Sequence, residues 1–192
     1  MDNYAKAQEL ELEWWKNYPF TPYPEWREYD RVFLPYYPQE PVPVAVDVGS
    51  GPIPIFCNPN ILYTRGISVD PLNPEYAKLD KYAKYLTRPF ERMQSPSEIE
   101  SGTVDCCFCL NTLDHLPDPS SLVVEIVRVL RETGLLFLFV DVDRAPDRLH
   151  ATVSRGRLHG LLAQFDEILW LEKPSWKFNN STLWFVGQRK KA

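Results

Sequence analysis

Residues 42–51 read VPVAVDVGSG, an apolar run that ends in an acid and two closely spaced glycines. A short apolar run bounded by turn residues predicts a buried β-strand. Gly49 and Gly51 then let the backbone turn sharply and approach a ligand with no Cβ in the way. A dinucleotide-binding loop would place a third glycine three residues beyond Gly51, where this chain has Pro54. The carboxylate of Asp47, just before the loop, suits a cationic ligand better than a diphosphate.

The next apolar run, residues 61–70 (ILYTRGISVD), ends in a second acid, Asp70. Ligands of open parallel sheets bind at the carboxyl ends of the strands, and an acid at the end of the second strand can accept hydrogen bonds from ribose hydroxyls. Asp47, Gly49, Gly51 and Asp70 together therefore predict a site for a nucleoside that carries positive charge and no phosphate at the loop. S-adenosylmethionine has that chemistry.

Further strands and helices alternate along the chain, which predicts an α/β fold: a Rossmann-like, doubly wound, mostly parallel sheet with helices on both faces. The last two strands have no helix between them, so we expect the C-terminal strand to be antiparallel. The predicted strands are 42–48, 61–70, 103–110, 135–142, 166–173 and 181–188, and the predicted helices are 1–17, one that begins with Asn73 as N-cap, 120–132 closed by Gly134, and 157–165.

Residues 1–42 precede this pattern and have a different composition. Residues 1–17 predict a helix, and residues 18–43 are rich in proline and aromatic side chains. Because dense proline disfavours both helices and sheet ladders, we expect an ordered strap without regular structure, either covering the core or closing a ligand pocket. The chain is therefore divided into 1–42, as part of the same domain, and 43–192, the ligand-binding domain.

The composition excludes several classes of function. The formal net charge is −5, which argues against nucleic-acid binding through phosphate neutralisation. No apolar run is long enough to cross a bilayer, and the first residues show no signal sequence, so we expect a cytoplasmic protein without a membrane partner. The four cysteines do not have metal-ligand spacing, and we expect buried core residues in a reducing compartment and no metal.

The sequence from about Val42 to Gln188 resembles the class I S-adenosylmethionine-dependent methyltransferases of the small type 11 group. AVDVGSGP (45–52), GISVDPLNPEY (66–76) and the long stretch from TVDCCFCLNTLDHL to LLFLFVDV (103–142) carry the resemblance. It implies a seven-stranded sheet with the last strand inserted antiparallel. It also implies that the first motif contacts the amino-acid half of S-adenosylmethionine and that Asp70 binds the ribose. By the same resemblance, residues 93–94 would contact the adenine, and Asn111 would lie beside the methionine portion. The predicted cofactor-binding residues are Asp47, Gly49, Ser50, Gly51, Asp70, Pro71, Met93, Gln94 and Asn111.

Asp114 and His115 follow the predicted strand 103–110, where an acceptor would meet the methyl group, so they are the candidate catalytic residues. His115 is the candidate general base because an ordinary histidine titrates near neutrality. The acceptor is expected to be a small molecule, since Asn111 to Asp114 (NTLD) lacks the aromatic platform of nucleobase methylation. Oligomeric state is left open.

Two departures from the family pattern keep other functions open. Ile53 stands in place of the third glycine of the first motif, and the segment from Gly51 to Ile61 is too short for a full helix. A non-catalytic or partner-dependent protein of this fold is therefore one alternative. An NAD(P)-dependent oxidoreductase is a second, against which Asp47 and Pro54 argue.

Overall fold

Seven strands form one sheet in the order β3-β2-β1-β4-β5-β7-β6. The structure is a computed structural model that describes residues 3–18, 23–174 and 180–191. All pairings from β3 to β5 are parallel, and β7 runs antiparallel between β5 and β6. The strands are β1 Val42–Val48, β2 Tyr63–Val69, β3 Glu91–Met93, β4 Val104–Leu110, β5 Leu130–Val142, β6 Phe165–Pro174 and β7 Ser181–Arg189.

Helices cover both faces of this sheet, so the predicted doubly wound architecture and the inserted antiparallel strand are confirmed. One core lies between the sheet and α4 and α5, and a second, richer in aromatic residues, receives α2. No helix among the described residues is both long and apolar enough to cross a bilayer. The helices are α1 Asn3–Asn17, α2 Tyr23–Phe33, α3 Asn73–Tyr76, α4 Ser120–Val129 and α5 Arg155–Leu162.

The buried strands carry the apolar residues that the sequence assigned to them. Cys57, Cys106, Cys107 and Cys109 are all buried and unbridged, which confirms that they are core residues. Alternate residues of β4 face opposite cores, since Cys107 and Cys109 pack in the first and Cys106 in the second.

The prediction that the proline-rich segment lacks regular structure was wrong, because α2 spans Tyr23–Phe33. Residues 25–33 contain no proline, and a proline in the first turn of a helix removes no hydrogen bond that the helix would make. Trp26 and Phe33 then anchor the helix in the second core. Residues 19–22 of the strap, like 175–179 between the last two strands, lie outside the described residues.

Other elements also differ from those predicted, among them α5, which spans Arg155–Leu162 where 157–165 was expected. The helix expected after Asn73 is a single turn followed by a 3₁₀ segment, Asp80–Tyr85, and the Asn73 side chain does not cap it. That side chain instead donates to the carbonyls of Ser68 at 3.0 Å and Met93 at 2.7 Å, because it is buried between the ends of β2 and β3. The helix expected over 120–132 ends at Val129, where β5 begins. The short strand β3 was not predicted.

Candidate active site

A cavity of about 1130 Å³ opens at the carboxyl ends of β1, β2, β4 and β5. Most of the predicted site residues line it, whereas Met93 and Asp114 do not. Those that line it are Asp47, Gly49, Ser50, Gly51, Asp70, Pro71, Gln94, Asn111 and His115. The order of the strands therefore brings together residues that lie up to 68 positions apart in the sequence (from 47 to 115).

The glycine loop after β1 needs glycine for two reasons. Gly49 and Gly51 have φ values of +70° and +57°, in the left-handed region that favours glycine. In addition, a Cβ on Gly49 would lie 2.2 Å from side-chain atoms of Thr112. The segment that follows has only a 3₁₀ turn, Ile55–Cys57, in place of a first helix, as the prolines around Ile53 predict.

Asp70 holds the loop through its carboxylate. One oxygen accepts a hydrogen bond from the Gly51 N–H at 3.1 Å, and the other accepts from the Leu72 N–H at 2.9 Å. Burial raises the pKa of Asp70, and these two donors act against that rise. Each carboxylate oxygen can accept a second hydrogen bond, so Asp70 can accept ligand hydroxyls without releasing the loop.

Asp47 is a second buried carboxylate on the cavity wall, with 3% of its surface exposed. One oxygen accepts from the Ile55 N–H at 2.7 Å. Burial, with a smaller contribution from the nearby charge of Asp70, raises the pKa of Asp47 to about 7. A cation in the cavity would relieve both effects.

The two residues expected at an adenine have different places. Gln94 lines the cavity, whereas Met93 borders a separate small cavity beside Arg65 and Ile67. The Met93 carbonyl accepts from the Asp70 N–H at 3.1 Å. Met93 therefore supports the position of Asp70 through its backbone and lies outside the main cavity.

Helix α1 lies along the opening of the cavity, and sequence reasoning did not assign it any site residue. The Trp15 ring lies 3.1 Å from where a Cβ on Gly51 would be, and the Trp15 carbonyl accepts from the Tyr82 hydroxyl at 2.6 Å. Glu11 accepts from the Trp15 indole at 2.7 Å and lies 3.7 Å from His115. Of the two alternatives predicted for the strap, α2 fits both, since Trp26 lines the cavity and packs in the core.

His115, which also lines the cavity, packs edge-on against His150, with ring centroids 4.4 Å apart. Burial, together with the nearby charges of His150 and Arg144, lowers the pKa of His115 to about 4. The ordinary titration that made His115 the candidate base is therefore absent in the folded chain. His159, by contrast, stacks on Trp170 at 4.1 Å.

Asp114 was expected to face the acceptor, but it lies behind the cavity wall with 0% of its surface exposed. Neither carboxylate oxygen has a hydrogen-bond partner within the described ranges. Burial raises the pKa of Asp114 to about 7. The 3₁₀ turn Leu113–His115 places Leu113 and Asp114 inside the protein and His115 at the cavity, a distinction that sequence spacing alone did not make.

Beyond the histidines, the cavity has an aromatic wall formed by Tyr29, Phe139 and Trp184. The rings of Phe139 and Trp184 are 4.6 Å apart, and Tyr29 lies 5.7 Å from Trp184. The indole nitrogen of Trp184 is buried without a hydrogen-bond partner in the part of the chain described. Sequence reasoning missed this wall because its members come from α2, β5 and β7.

Residues 46–138 match the sequence family described as "Methyltransferase domain". Proteins of this class use S-adenosylmethionine as the methyl donor, and the carboxyl-end cavity of this chain lies where open α/β sheets bind ligands. The match covers just under half of the chain, and the fold of the whole chain is that of the class I S-adenosylmethionine-dependent methyltransferases.

Solved structures share the fold at low sequence identity. A candidate type 11 methyltransferase from Sulfolobus solfataricus is 19% identical, with a TM-score of 0.62, over 86% of this chain and 92% of that one. The Burkholderia thailandensis 1,6-didemethyltoxoflavin-N1-methyltransferase, bound to 1,6-didemethyltoxoflavin and S-adenosylhomocysteine, is 19% identical, with a TM-score of 0.58, over 79% and 72%.

A third neighbour is a methyltransferase candidate from Haloferax volcanii in complex with the Trm112 methyltransferase activator. It is 16% identical, with a TM-score of 0.65, over 95% of this chain and 97% of that one. Among curated proteins, no sequence matches the chain.

Proposed function

We propose that the chain binds S-adenosylmethionine at the glycine-loop end of the cavity and transfers its methyl group to a small acceptor with an apolar or aromatic face. The observation that carries the proposal is the pair of buried carboxylates, Asp47 and Asp70, on the wall beside a left-handed glycine loop. Burial raises the pKa values of both groups, which is the environment that a cationic nucleoside would stabilise.

The residues present fit this cofactor. The carboxylate of Asp70 has lone pairs left for the ribose hydroxyls after it accepts from Gly51 and Leu72. Asp47 supplies negative charge where the amino-acid half of the cofactor would lie, and Asn111, with φ +56° at the end of β4, lines the same region. The cavity exceeds the volume of about 300–1,000 Å³ typical of single-ligand pockets, so it has room for a cofactor and an acceptor.

When bound, S-adenosylmethionine supplies a methyl group that is already electrophilic. The protein then has to hold the acceptor in line with that group and exclude water. Helix α1 lines the cavity and lies against the loop through Trp15, and the aromatic wall of Tyr29, Phe139 and Trp184 provides a surface for a flat acceptor. A neutral His115 at the cavity can accept a hydrogen bond from the acceptor, although its lowered pKa makes it a weak base.

The acceptor class rests on the shape and chemistry of this wall. The Burkholderia thailandensis neighbour carries 1,6-didemethyltoxoflavin together with S-adenosylhomocysteine in its structure, which shows that this fold accommodates a compound of that kind. A nucleic-acid acceptor is disfavoured by the net charge of −5. We also propose that the chain works in the cytoplasm.

Calorimetric titration of the purified chain with S-adenosylmethionine and with S-adenosylhomocysteine tests the proposal. We expect both to bind, and the Asp70→Asn variant to lose at least about tenfold in affinity, which is ~1.4 kcal/mol. Asp166→Asn, at an exposed carboxylate on β6, is the matched control and should bind as the wild type does. Absence of binding by the folded wild type, or binding of NAD in its place, would overturn the proposal.

A partner-dependent enzyme is a second candidate, favoured by the neighbour from Haloferax volcanii, which is seen with its activator. The chain spans nearly the whole of that structure. Binding of S-adenosylmethionine together with turnover of a small acceptor by the chain alone would argue against this alternative. Turnover that appears only when a cell extract is added would favour it.

A further inference from the structure

The side chains of Asp114, His115 and His150 form a cluster at the wall of the cavity. Each offers one metal-ligating atom, and the three atoms all lie within 4.8 Å of one another. Two imidazoles and a carboxylate are the protein ligands of many catalytic zinc and non-haem iron centres. The methyl transfer proposed above gives no role to Asp114 or His150, so the cluster needs its own explanation.

Asp114 is the residue of this cluster whose environment most favours a bound cation. It is completely buried, and within the described parts of the chain neither of its carboxylate oxygens has a hydrogen-bond partner. A buried polar group without a partner is rare in folded proteins, and a buried unpaired charge is more costly still. A cation bound between Asp114 and the two imidazoles would satisfy the carboxylate.

His150 is held in the orientation of a metal ligand. Its Nδ1 lies 2.8 Å from Oδ1 of Asp147, and that same oxygen accepts from the backbone N–H groups of Leu149 and His150 at 2.8 and 3.0 Å. With Nδ1 donating to the carboxylate, Nε2 is the ring nitrogen left to bind a ligand. A carboxylate behind the imidazole is the usual second contact of metal-binding histidines, because it fixes the tautomer and the ring.

The arrangement of the three ligands around the cavity also fits a catalytic metal site. His115 and His150 line the cavity, whereas Asp114 lies behind them in the wall. An ion held by these three groups would keep its remaining coordination positions toward the cavity, as catalytic metal sites do. Ligand atoms around tetrahedral zinc lie about 3.3 Å apart when each bond to the metal is about 2.0–2.1 Å. Side-chain rotations that bring the three ligand atoms closer to one another by up to about 1.5 Å would therefore complete the coordination.

We propose that Asp114, His115 and His150 bind one divalent transition-metal ion, with Zn²⁺ as the representative, whose open positions face the acceptor. Imidazole nitrogen favours Zn²⁺, Fe²⁺ or Ni²⁺ over Mg²⁺ and Ca²⁺. Resting on the proposed function, the ion binds an oxygen or nitrogen atom of the acceptor and favours its deprotonated form, with the proton released to solvent. This supplies the activation that His115 alone, as a weak base, does not.

The test uses the full chain, freed of metal with a chelator and titrated with Zn²⁺ by calorimetry and with Co²⁺ by visible absorption. We expect one ion per chain and a cobalt absorption band that reports nitrogen and oxygen ligands. His150→Ala and Asp114→Asn should each lower the affinity at least 100-fold. Asp147→Asn, which removes the support behind His150, should lower it about 10- to 100-fold.

His159→Ala is the matched control, because His159 stacks on Trp170 and is not part of the cluster. It should bind Zn²⁺ and Co²⁺ as the wild type does. Circular dichroism without metal checks the fold, and should Asp114→Asn not fold, His150→Ala and Asp147→Asn carry the test. Lack of binding by the wild type, unchanged affinity in His150→Ala, or an equal loss in His159→Ala would overturn the site.

The same samples separate this inference from the proposed function. Titration with S-adenosylmethionine in the presence of chelator reports on the glycine-loop end alone. A chain that binds the cofactor and no metal overturns only the metal site. A chain that binds metal through His150 and no cofactor supports the site and overturns the proposed function.

Discussion

Asp70 and Asp114, two buried aspartates at the cavity, differ in whether their carboxylates accept hydrogen bonds. At the glycine-loop end, Asp70 accepts hydrogen bonds from two backbone N–H groups, one of them two residues away. At the histidine end, Asp114 is buried with no hydrogen-bond partner in the described residues. The first arrangement follows from a local turn, whereas the second leaves a buried carboxylate that the proposed metal ion would satisfy.

This difference distinguishes a part of the cavity that is preorganised in the free protein from a part whose stability depends on a bound ligand. The backbone donors of Gly51 and Leu72 hold Asp70 in the free protein, so the proposed cofactor site is preorganised. Around Asp114, a buried carboxylate without a hydrogen-bond partner among the described residues lies within reach of two imidazoles, as expected of the proposed metal site before its ion binds. The predictions below test this contrast in order of decreasing effect.

Gly49→Ala is expected to have the largest effect. The left-handed φ of +70° costs about 1–2 kcal/mol for a residue with a Cβ. The clash of that Cβ with Thr112 at 2.2 Å adds an overpacking penalty of about 1–3 kcal/mol. Chemical denaturation should show a loss of roughly 2–5 kcal/mol in the free energy of unfolding. Gly160→Ala is the matched control: no atom lies within 4 Å of its added Cβ, so it should be neutral or stabilising, and equal stability of the two variants would contradict the structure.

Asp114→Asn is expected to stabilise the metal-free chain at pH 8. Burial raises the pKa of Asp114 to about 7 in the folded protein, above its ordinary value of 3.8, so the folded state binds the proton more tightly. The contribution of this group to stability therefore falls as pH rises from about 4 to 7. Removing the charge should raise the free energy of unfolding by roughly 1–3 kcal/mol at pH 8 and by less at pH 5.

Denaturation in chelator at the two pH values measures this effect. The exposed Asp166→Asn should change stability by no more than about 0.5 kcal/mol. If Asp114→Asn destabilised the metal-free chain at pH 8, Asp114 would have a partner that the structure does not show, and the contrast between the two ends would be lost.

Binding of S-adenosylmethionine should weaken as pH falls through 7. Burial raises the pKa of Asp47 to about 7, and only the deprotonated carboxylate attracts a cation. If binding requires that form, affinity should fall about tenfold between pH 8 and pH 6. In Asp47→Asn, calorimetry should show weaker binding whose pH dependence is correspondingly smaller. The same pH dependence in the variant and the wild type would remove Asp47 from the cofactor site.

Tyr82→Phe is expected to have the smallest effect. It removes the hydroxyl that donates to the Trp15 carbonyl at 2.6 Å, a bond worth about 0.5–1.5 kcal/mol. Because this bond ties α1 to the 3₁₀ segment, the backbone amides of α1 should exchange hydrogen faster in the variant, with little change elsewhere. Tyr85→Phe, in the same 3₁₀ segment, is the control and should leave the exchange of α1 unchanged.

Much of the fold could be predicted because it depends on patterns local in sequence. The apolar run that became β4 is almost continuous, since a strand buried on both faces needs apolar residues nearly throughout. The left-handed glycines after β1 and the acid after β2 mark the proposed cofactor site, and the structure gathers them at one cavity. The boundaries of α2, α3 and α4 could not be predicted in the same way, because burial of Trp26 and Phe33 and hydrogen bonding of Asn73 override local propensity.

The sequence by itself determined the layered sheet, its parallel order with one antiparallel strand, and the loop that forms one end of the cavity. These features rest on side-chain periodicity and on backbone conformations that only glycine adopts readily. Tertiary structure alone decided that α1 covers the loop, that Met93 lies outside the cavity, and that His150 meets His115. Those outcomes depend on contacts between segments far apart in the chain, and their geometry exists only once the sheet has brought its loops to the same edge.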